Sequence, residues 1–141
     1  MYKILLAVDG SENALRAAEH AAMLMEANRS ITCTILTVIA FTRDLAEFVG
    51  MNPEQYDRRL LDRAAPILAR AEKIFTSRGL TVDTVVRQGD VARTIVDFAG
   101  KGGYRHIIMG SRGLSDIKGV IVGSVSHKVL QLAGCPVTLV K

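Results

Sequence analysis

Apolar residues come in short runs along this chain, separated by glycine, proline and charged turns, and their spacing changes from run to run. Residues 3–8 are apolar after Lys3 and close on Asp9-Gly10-Ser11, the pattern of a buried strand followed by a turn. Ser11 is a good N-cap, and Glu12 in the first turn suits the positive end of a helix. Ala14, Ala17, Ala18, Ala21, Ala22 and Met25 then recur at helical spacing up to Asn28. Their small size predicts a helix packed closely on a sheet.

Residues 31–40 carry no charge and are rich in β-branched side chains, as expected of a strand covered on both faces. Residues 41–52 have no clean period and read as a loop with some helical content. Residues 53–78 are charged and helical in pattern, with Leu60, Leu61, Ile67, Leu68, Ala71 and Phe75 assigned to the inner side. Pro66 is expected to kink or interrupt this helix, and Gly79 to stop it. In residues 80–87, Leu80, Val82 and Val86 fall on one face, with Val85 the exception, which predicts a strand exposed on one face or near an edge. A short helix over 90–100, a buried strand over 106–109 stopping at Gly110, a helix from about Ser124 to Leu132 and a last strand over 136–140 complete the pattern.

The order β-α-β-α-β-α-β-α-β, with no linker or repeat, predicts a single α/β domain over 1–141. Its architecture is an open five-stranded parallel sheet, strand order 3-2-1-4-5, with helices on both faces and right-handed crossovers. In such sheets a ligand sits beyond the carboxyl ends of the strands where strand order reverses, here the loops at Asp9-Gly10-Ser11 and from Gly110 onward.

Length and composition agree with this reading. The chain has 141 residues, 49% hydrophobic and 23% charged, enough to bury a core without staples. Cys33 and Cys135 form no C-x-x-C pair, which argues against a disulfide scaffold or structural zinc and for a reduced, intracellular setting. The first apolar run is five residues long, too short for a signal-peptide core. The longest strongly apolar uncharged stretch, residues 30–42, is shorter than the roughly 20 residues that cross a bilayer. A cytoplasmic protein that does not insert into membranes is therefore expected. The net charge of +4 is uneven: residues 87–141 hold eight Lys/Arg against three Asp/Glu. Such a basic third suits nucleic acid, a phosphorylated small molecule or solubility alone, and composition does not choose among them.

The richest segment is Gly110-Ser111-Arg112-Gly113, nine residues, then Gly123-Ser124-Val125-Ser126. Gly110 and Gly113 flank a turn directly after a strand, where backbone can approach a ligand without a Cβ in the way. Gly123-Ser124 opens a helix whose unpaired N–H groups and dipole favour an anion. Arg112 and Lys118 add positive charge, and Ser124 and Ser126 add hydroxyls. Two readings of these residues stand side by side: a phosphate cradle, or glycines serving only as turn and cap residues. Neither a Walker-type loop nor a G-x-G-x-x-G after the first strand is present.

The spacing G-2x-G-9x-G-[ST] resembles the ATP-binding signature of the universal stress protein family, and Gly110, Gly113, Gly123 and Ser124 match it without a gap. The opening Ile4-Leu5-Leu6-Ala7-Val8-Asp9-Gly10-Ser11 is similar to that family's first strand and turn. The resemblance spans essentially the whole chain, strongest at its two ends. It implies a Rossmann-like fold of the adenine nucleotide alpha hydrolase kind. It also implies triphosphate contacts at Gly113, Gly123, Ser124, Val125 and Ser126, and a ribose and phosphate side at Met109, Gly110 and Arg112. Ala7 and Asp9 would meet the nucleoside, and the Val38 backbone the adenine. Mg²⁺ would accompany ATP, held by phosphates and water with no protein ligand named. The family's members commonly pair through the last strand, so the resemblance implies a homodimer joined along 136–140, a strand at the sheet edge.

The remaining chemistry is sparse. His20, His106 and His127 lack metal-ligand spacing, and neither cysteine has a neighbouring base. No His or Glu lies within the glycine loop, where Ser111, Ser115 and Asp116 are the polar candidates for γ-phosphate chemistry. The preferred function is an ATP-binding regulator of the stress response whose nucleotide state changes contact with a protein partner. The alternative is a slow ATP hydrolase or (auto)phosphotransferase. Three tyrosines, four phenylalanines and no basic-aromatic platform argue against nucleic acid.

Overall fold

The computed structural model describes residues 1–114 and 122–141. Strands β1 (Tyr2–Ala7), β2 (Ile31–Ile39), β3 (Asp83–Gln88), β4 (His106–Gly110) and β5 (Val137–Val140) form one parallel sheet in the order β3-β2-β1-β4-β5. Five helices accompany them among the described residues: α1 (Glu12–Ala27), α2 (Arg43–Phe48), α3 (Pro53–Thr76), α4 (Val91–Lys101) and α5 (Ser124–Leu132). This is the strand order expected from the sequence.

Strand alternation divides the core. Ile4, Leu6 and Val8 of the β1 segment face α1 and α3, where they meet Ala17, Ala21, Leu68 and Phe75. Leu5 and Ala7 face the other way, toward Ala92, Ile95 and Ala99 of α4 and Val129 of α5. The buried alanines of α1 bring its axis close to the sheet, and Ser11 caps it by accepting from Ala14 N. Full burial of a side chain such as Phe75 contributes roughly 1.5–3 kcal/mol.

Three local expectations are corrected. Pro66 does not interrupt α3, which runs unbroken from Pro53 to Thr76. Proline removes the N–H that would serve the carbonyl of Asp62, but both residues lie on the solvent side, where water can replace the bond. Burial of Tyr56, Ala64, Leu68, Ala71 and Phe75 on the opposite stripe, together with the Asn52–Gln55 capping box, holds the helix. Leu61 is 59% exposed rather than inner, at the margin of that stripe. Finally, β3 begins at Asp83, and Val86 and Val85 are partly buried against opposite halves of the core. The strand is an edge, as expected, and only these two of its residues are partly buried.

Candidate functional site

The sheet changes direction of winding between β1 and β4, and the crevice beyond their carboxyl ends holds a cavity of about 230 Å³. Its floor is Ala7 and Met109, side by side in paired strands. Val38 of β2 and Val91 and Ile95 of α4 make an apolar wall, while Gly110, Arg112, Gly113, Val125 and Ser126 line the opposite side. A groove of about 600 Å³ along α2 and α3 is larger, but it presents arginine side chains on an open helix surface rather than converging backbone groups.

The β1 end explains why backbone is available at Val38. Val8 N donates to Leu36 O at 2.9 Å, the last rung between these strands. Val8 O is taken by the buried Thr37 hydroxyl at 2.8 Å. The chain then turns away at Asp9, while β2 runs on to Ile39. Alternation aims the N–H and C=O of Val38 to the same side as those of Leu36, into the gap that β1 has vacated.

Asp9 is half-buried on the cavity wall. Its Oδ1 accepts from Ser11 N at 3.0 Å, which shapes the turn into α1. Its Oδ2 accepts from Leu114 N at 3.2 Å, which ties the loop after β4 to the end of β1. The carboxylate thus fastens two of the walls together as well as facing the cavity.

Gly110 owes its missing side chain to the scaffold. A Cβ there would lie 2.9 Å from the Cβ of Asn13 and 3.0 Å from Ala14 N, so α1 packs directly on the bare backbone. That contact stands beside the clearance for a ligand expected at this glycine. Ser126 likewise serves the scaffold: its buried hydroxyl donates to Gly110 O at 2.8 Å and fastens α5 to β4. Its proton is committed to that carbonyl.

Side chains cap α1, α2, α3 and α4, namely Ser11, Thr42, Asn52 and Asp90. At α5 the cap is Gly123, with ordinary extended φ −74° and ψ 168° and no side-chain hydrogen bond. The first intrahelical bond is His127 N to Gly123 O at 2.9 Å, which among the described residues leaves the N–H groups of Ser124, Val125 and Ser126 as the open end of the helix. Gly123 and Ser124 sit at this end, outside the wall of the 230 Å³ cavity that the other expected site residues line. Lys118, Ser115 and Asp116 lie outside the described residues.

Thiol chemistry has no place here. Burial pushes the Cys33 thiol up to about 12 and raises that of Cys135 as well. The sequence did not single out Leu36, Val91, Ile95 or Leu114 as cavity residues. Their apolar signal is that of core, and only the position of Val91 directly beyond the β3 end hinted at the site.

These features define the class: a doubly wound α/β domain with a nucleoside-sized, largely apolar cavity at its switch point and an open helix end beside it. Comparison with known proteins narrows the class. The model of the universal stress protein family matches residues 1–141, and the chain belongs to that family. Universal stress protein YxiE of Bacillus subtilis is 34% identical over 146 residues, covering 99% of this chain and 98% of the relative. A solved structure of a protein from Methanocaldococcus jannaschii is 28% identical, with a TM-score of 0.81, covering 99% of this chain and 94% of that one. Structures of the same fold are known with nucleotides. One from Archaeoglobus fulgidus is in complex with dAMP (22% identical, TM-score 0.74, covering 100% of this chain and 98% of that one). Another is in complex with cAMP (22%, 0.70, 99% and 96%). A third, from Arabidopsis thaliana, has AMP bound (19%, 0.66, 100% and 92%).

Proposed function

We propose that the protein is an ATP-binding regulatory protein of the stress response, acting in the cytoplasm, whose nucleotide state alters contact with a protein partner. The observation that carries this reading is the pairing of the 230 Å³ apolar cavity with an α5 end that no side chain caps among the described residues. Adenine fits against Val38, Val91 and Ile95, where the Val38 backbone offers one donor and one acceptor. The ribose meets Asp9 and Ala7. The phosphates follow Gly110, Arg112 and Gly113 past Gly123 to the N–H groups of Ser124, Val125 and Ser126, where the helix dipole favours negative charge. The adenine nucleotides carried by three proteins of the same fold support the base and ribose part of this reading.

Mg²⁺ fits the phosphates better than the protein. Among the described residues no three His, Cys, Asp or Glu side chains cluster as ligands, so the ion would take its oxygens from phosphate and water. Its chemistry there is charge neutralisation. A second copy of the chain is proposed to pair along β5, whose four residues are all half-buried at the outer edge of the sheet. Among the described residues no helix is long and apolar enough to cross a membrane.

Mass spectrometry of small molecules released from the purified protein, followed by calorimetry with ATP, AMP and adenosine, tests the proposal. Release of an adenine nucleotide and tighter binding of ATP than of AMP are expected. Absence of binding by all three ligands would overturn it.

A further inference from the structure

Ser111, directly after Gly110, is a junction. It is buried, its N–H donates to Val140 O at 2.8 Å, and its carbonyl accepts from Gly123 N at 2.7 Å. One residue therefore joins the end of β5 to the cap of α5. Its Oγ receives the Nδ2 of Asn13 at 3.4 Å. Asn13 is itself buried in the first turn of α1, and its Oδ1 accepts from the Arg16 guanidinium. Arg16 Nε donates in turn to Lys141 O at 2.7 Å.

The chemistry of these groups gives the chain of bonds a direction. A guanidinium only donates, so Arg16 selects the oxygen of the Asn13 amide and turns its NH₂ toward Ser111. Ser111 Oγ accepts that bond. The α5 end is then held to β4 by two bonds to consecutive carbonyls, Ser126 Oγ to Gly110 O and Gly123 N to Ser111 O. The direction in which the open N–H groups of α5 point depends on that one stretch of backbone. Asn13 touches it twice, through its amide at Ser111 and through its Cβ under Gly110.

We infer that Asn13, oriented by Arg16, is a positioning residue that aims the open end of α5 through Ser111. This rests on the nucleotide reading above and extends it: the pair acts on the phosphate end of the ligand and not on the base. Neither residue lines the cavity.

The test compares Asn13→Ala, Arg16→Met and Arg16→Lys with the wild type, each checked for folding by circular dichroism. Two readouts are taken: affinity for ATP and adenosine by calorimetry, and hydrogen exchange of the Gly123 amide without ligand. Asn13→Ala and Arg16→Met should weaken ATP by about five- to tenfold, as loss of one orienting hydrogen bond implies, and leave adenosine unchanged. Exchange at Gly123 should speed up in both. Arg16→Lys should restore both readouts, because an ammonium also only donates and imposes the same amide orientation. Equal weakening of ATP and adenosine would reduce Asn13 to a merely structural role and overturn the inference. So would unchanged exchange at Gly123, or an Arg16→Lys variant no better than Arg16→Met. A wild type that binds no nucleotide would overturn the functional reading alone, since the exchange measurement judges the positioning role without ligand.

Discussion

The carboxylate of Asp9 accepts the backbone N–H of Leu114 at 3.2 Å, across 105 positions of sequence. The other carboxylate oxygen holds Ser11 N at 3.0 Å, so one side chain fastens the β1–α1 turn to the loop after β4. Asp9→Ala removes both bonds and should destabilise the fold by roughly 1–3 kcal/mol in urea denaturation. Affinities for ATP and AMP should fall by similar factors, about tenfold or more, because the walls that Asp9 joins serve the shared nucleoside. Loss of ATP affinity alone, read by calorimetry, would instead assign the carboxylate to the phosphates and their metal.

Gly110→Ala separates scaffold from ligand. The added methyl meets Asn13 and Ala14 N at 2.9 and 3.0 Å, inside normal contact, and the obstacle is helix backbone that cannot swing aside. A loss of about 1–3 kcal/mol is expected with no nucleotide present. A variant as stable as the wild type but weaker in ATP binding would return this glycine to the ligand.

Gly123→Ala tests the open end of α5. The backbone there, φ −74° and ψ 168°, is open to any residue, so the helix should form. A methyl beside the N–H groups of Ser124, Val125 and Ser126 should hinder phosphate oxygens, weakening ATP more than adenosine. Equal affinities in variant and wild type would sink the phosphate cradle.

His106 gives the fold a pH dependence. Burial first, and the neighbouring His20 second, hold its imidazole below the ordinary 6.5, and its Nε2 bonds Thr138 Oγ1 at 2.7 Å. The unfolded chain therefore binds the proton more readily than the fold. Stability from this group is complete above about pH 6.5 and is lost as pH falls through the depressed folded value. Urea midpoints should drop from pH 7.5 toward pH 5 in the wild type, and the part of that drop due to this group should vanish in His106→Gln. An unaltered slope in the variant would refute the assignment.

Along β5, Pro136 O and Val140 O accept from Ile107 N and Ser111 N, so Thr138 turns inward with them, and the N–H groups of Val137 and Leu139 point outward. Leu139→Pro should remove an outward donor and shift a β5-paired dimer toward monomer in light scattering. Thr138→Pro should damage the pairing with β4 and lower stability. A monomeric wild type at tens of micromolar, roughly the range in which weak dimers form, would dismiss the dimer.

Local pattern was enough for the five strands, for α1, α3, α4 and α5, and for their order, while α2 lies in a stretch that reads as a loop with some helical content. The runs at β1, β2 and β4 are apolar because both faces of a parallel sheet are covered, and the alanine stripe of α1 marks a helix pressed onto that sheet. The glycine spacing marked the loop after β4, since such residues stand out against their neighbours. Tertiary structure alone decided what those residues do. Pro66 could stay within α3 because the carbonyl it deprives faces water, which no local pattern records. The inward turn of Thr138 and outward turn of Leu139 follow from which β5 carbonyls meet β4, a choice of register that strand composition leaves open. Asp9, Asn13 and Ser126 were legible as polar residues near a turn or a helix start, but their partners Leu114, Ser111 and Gly110 lie 105, 98 and 16 positions away. A hydrogen bond depends on distance and angle in space, and chain separations of that size carry no trace of it until the sheet has brought the strand ends together.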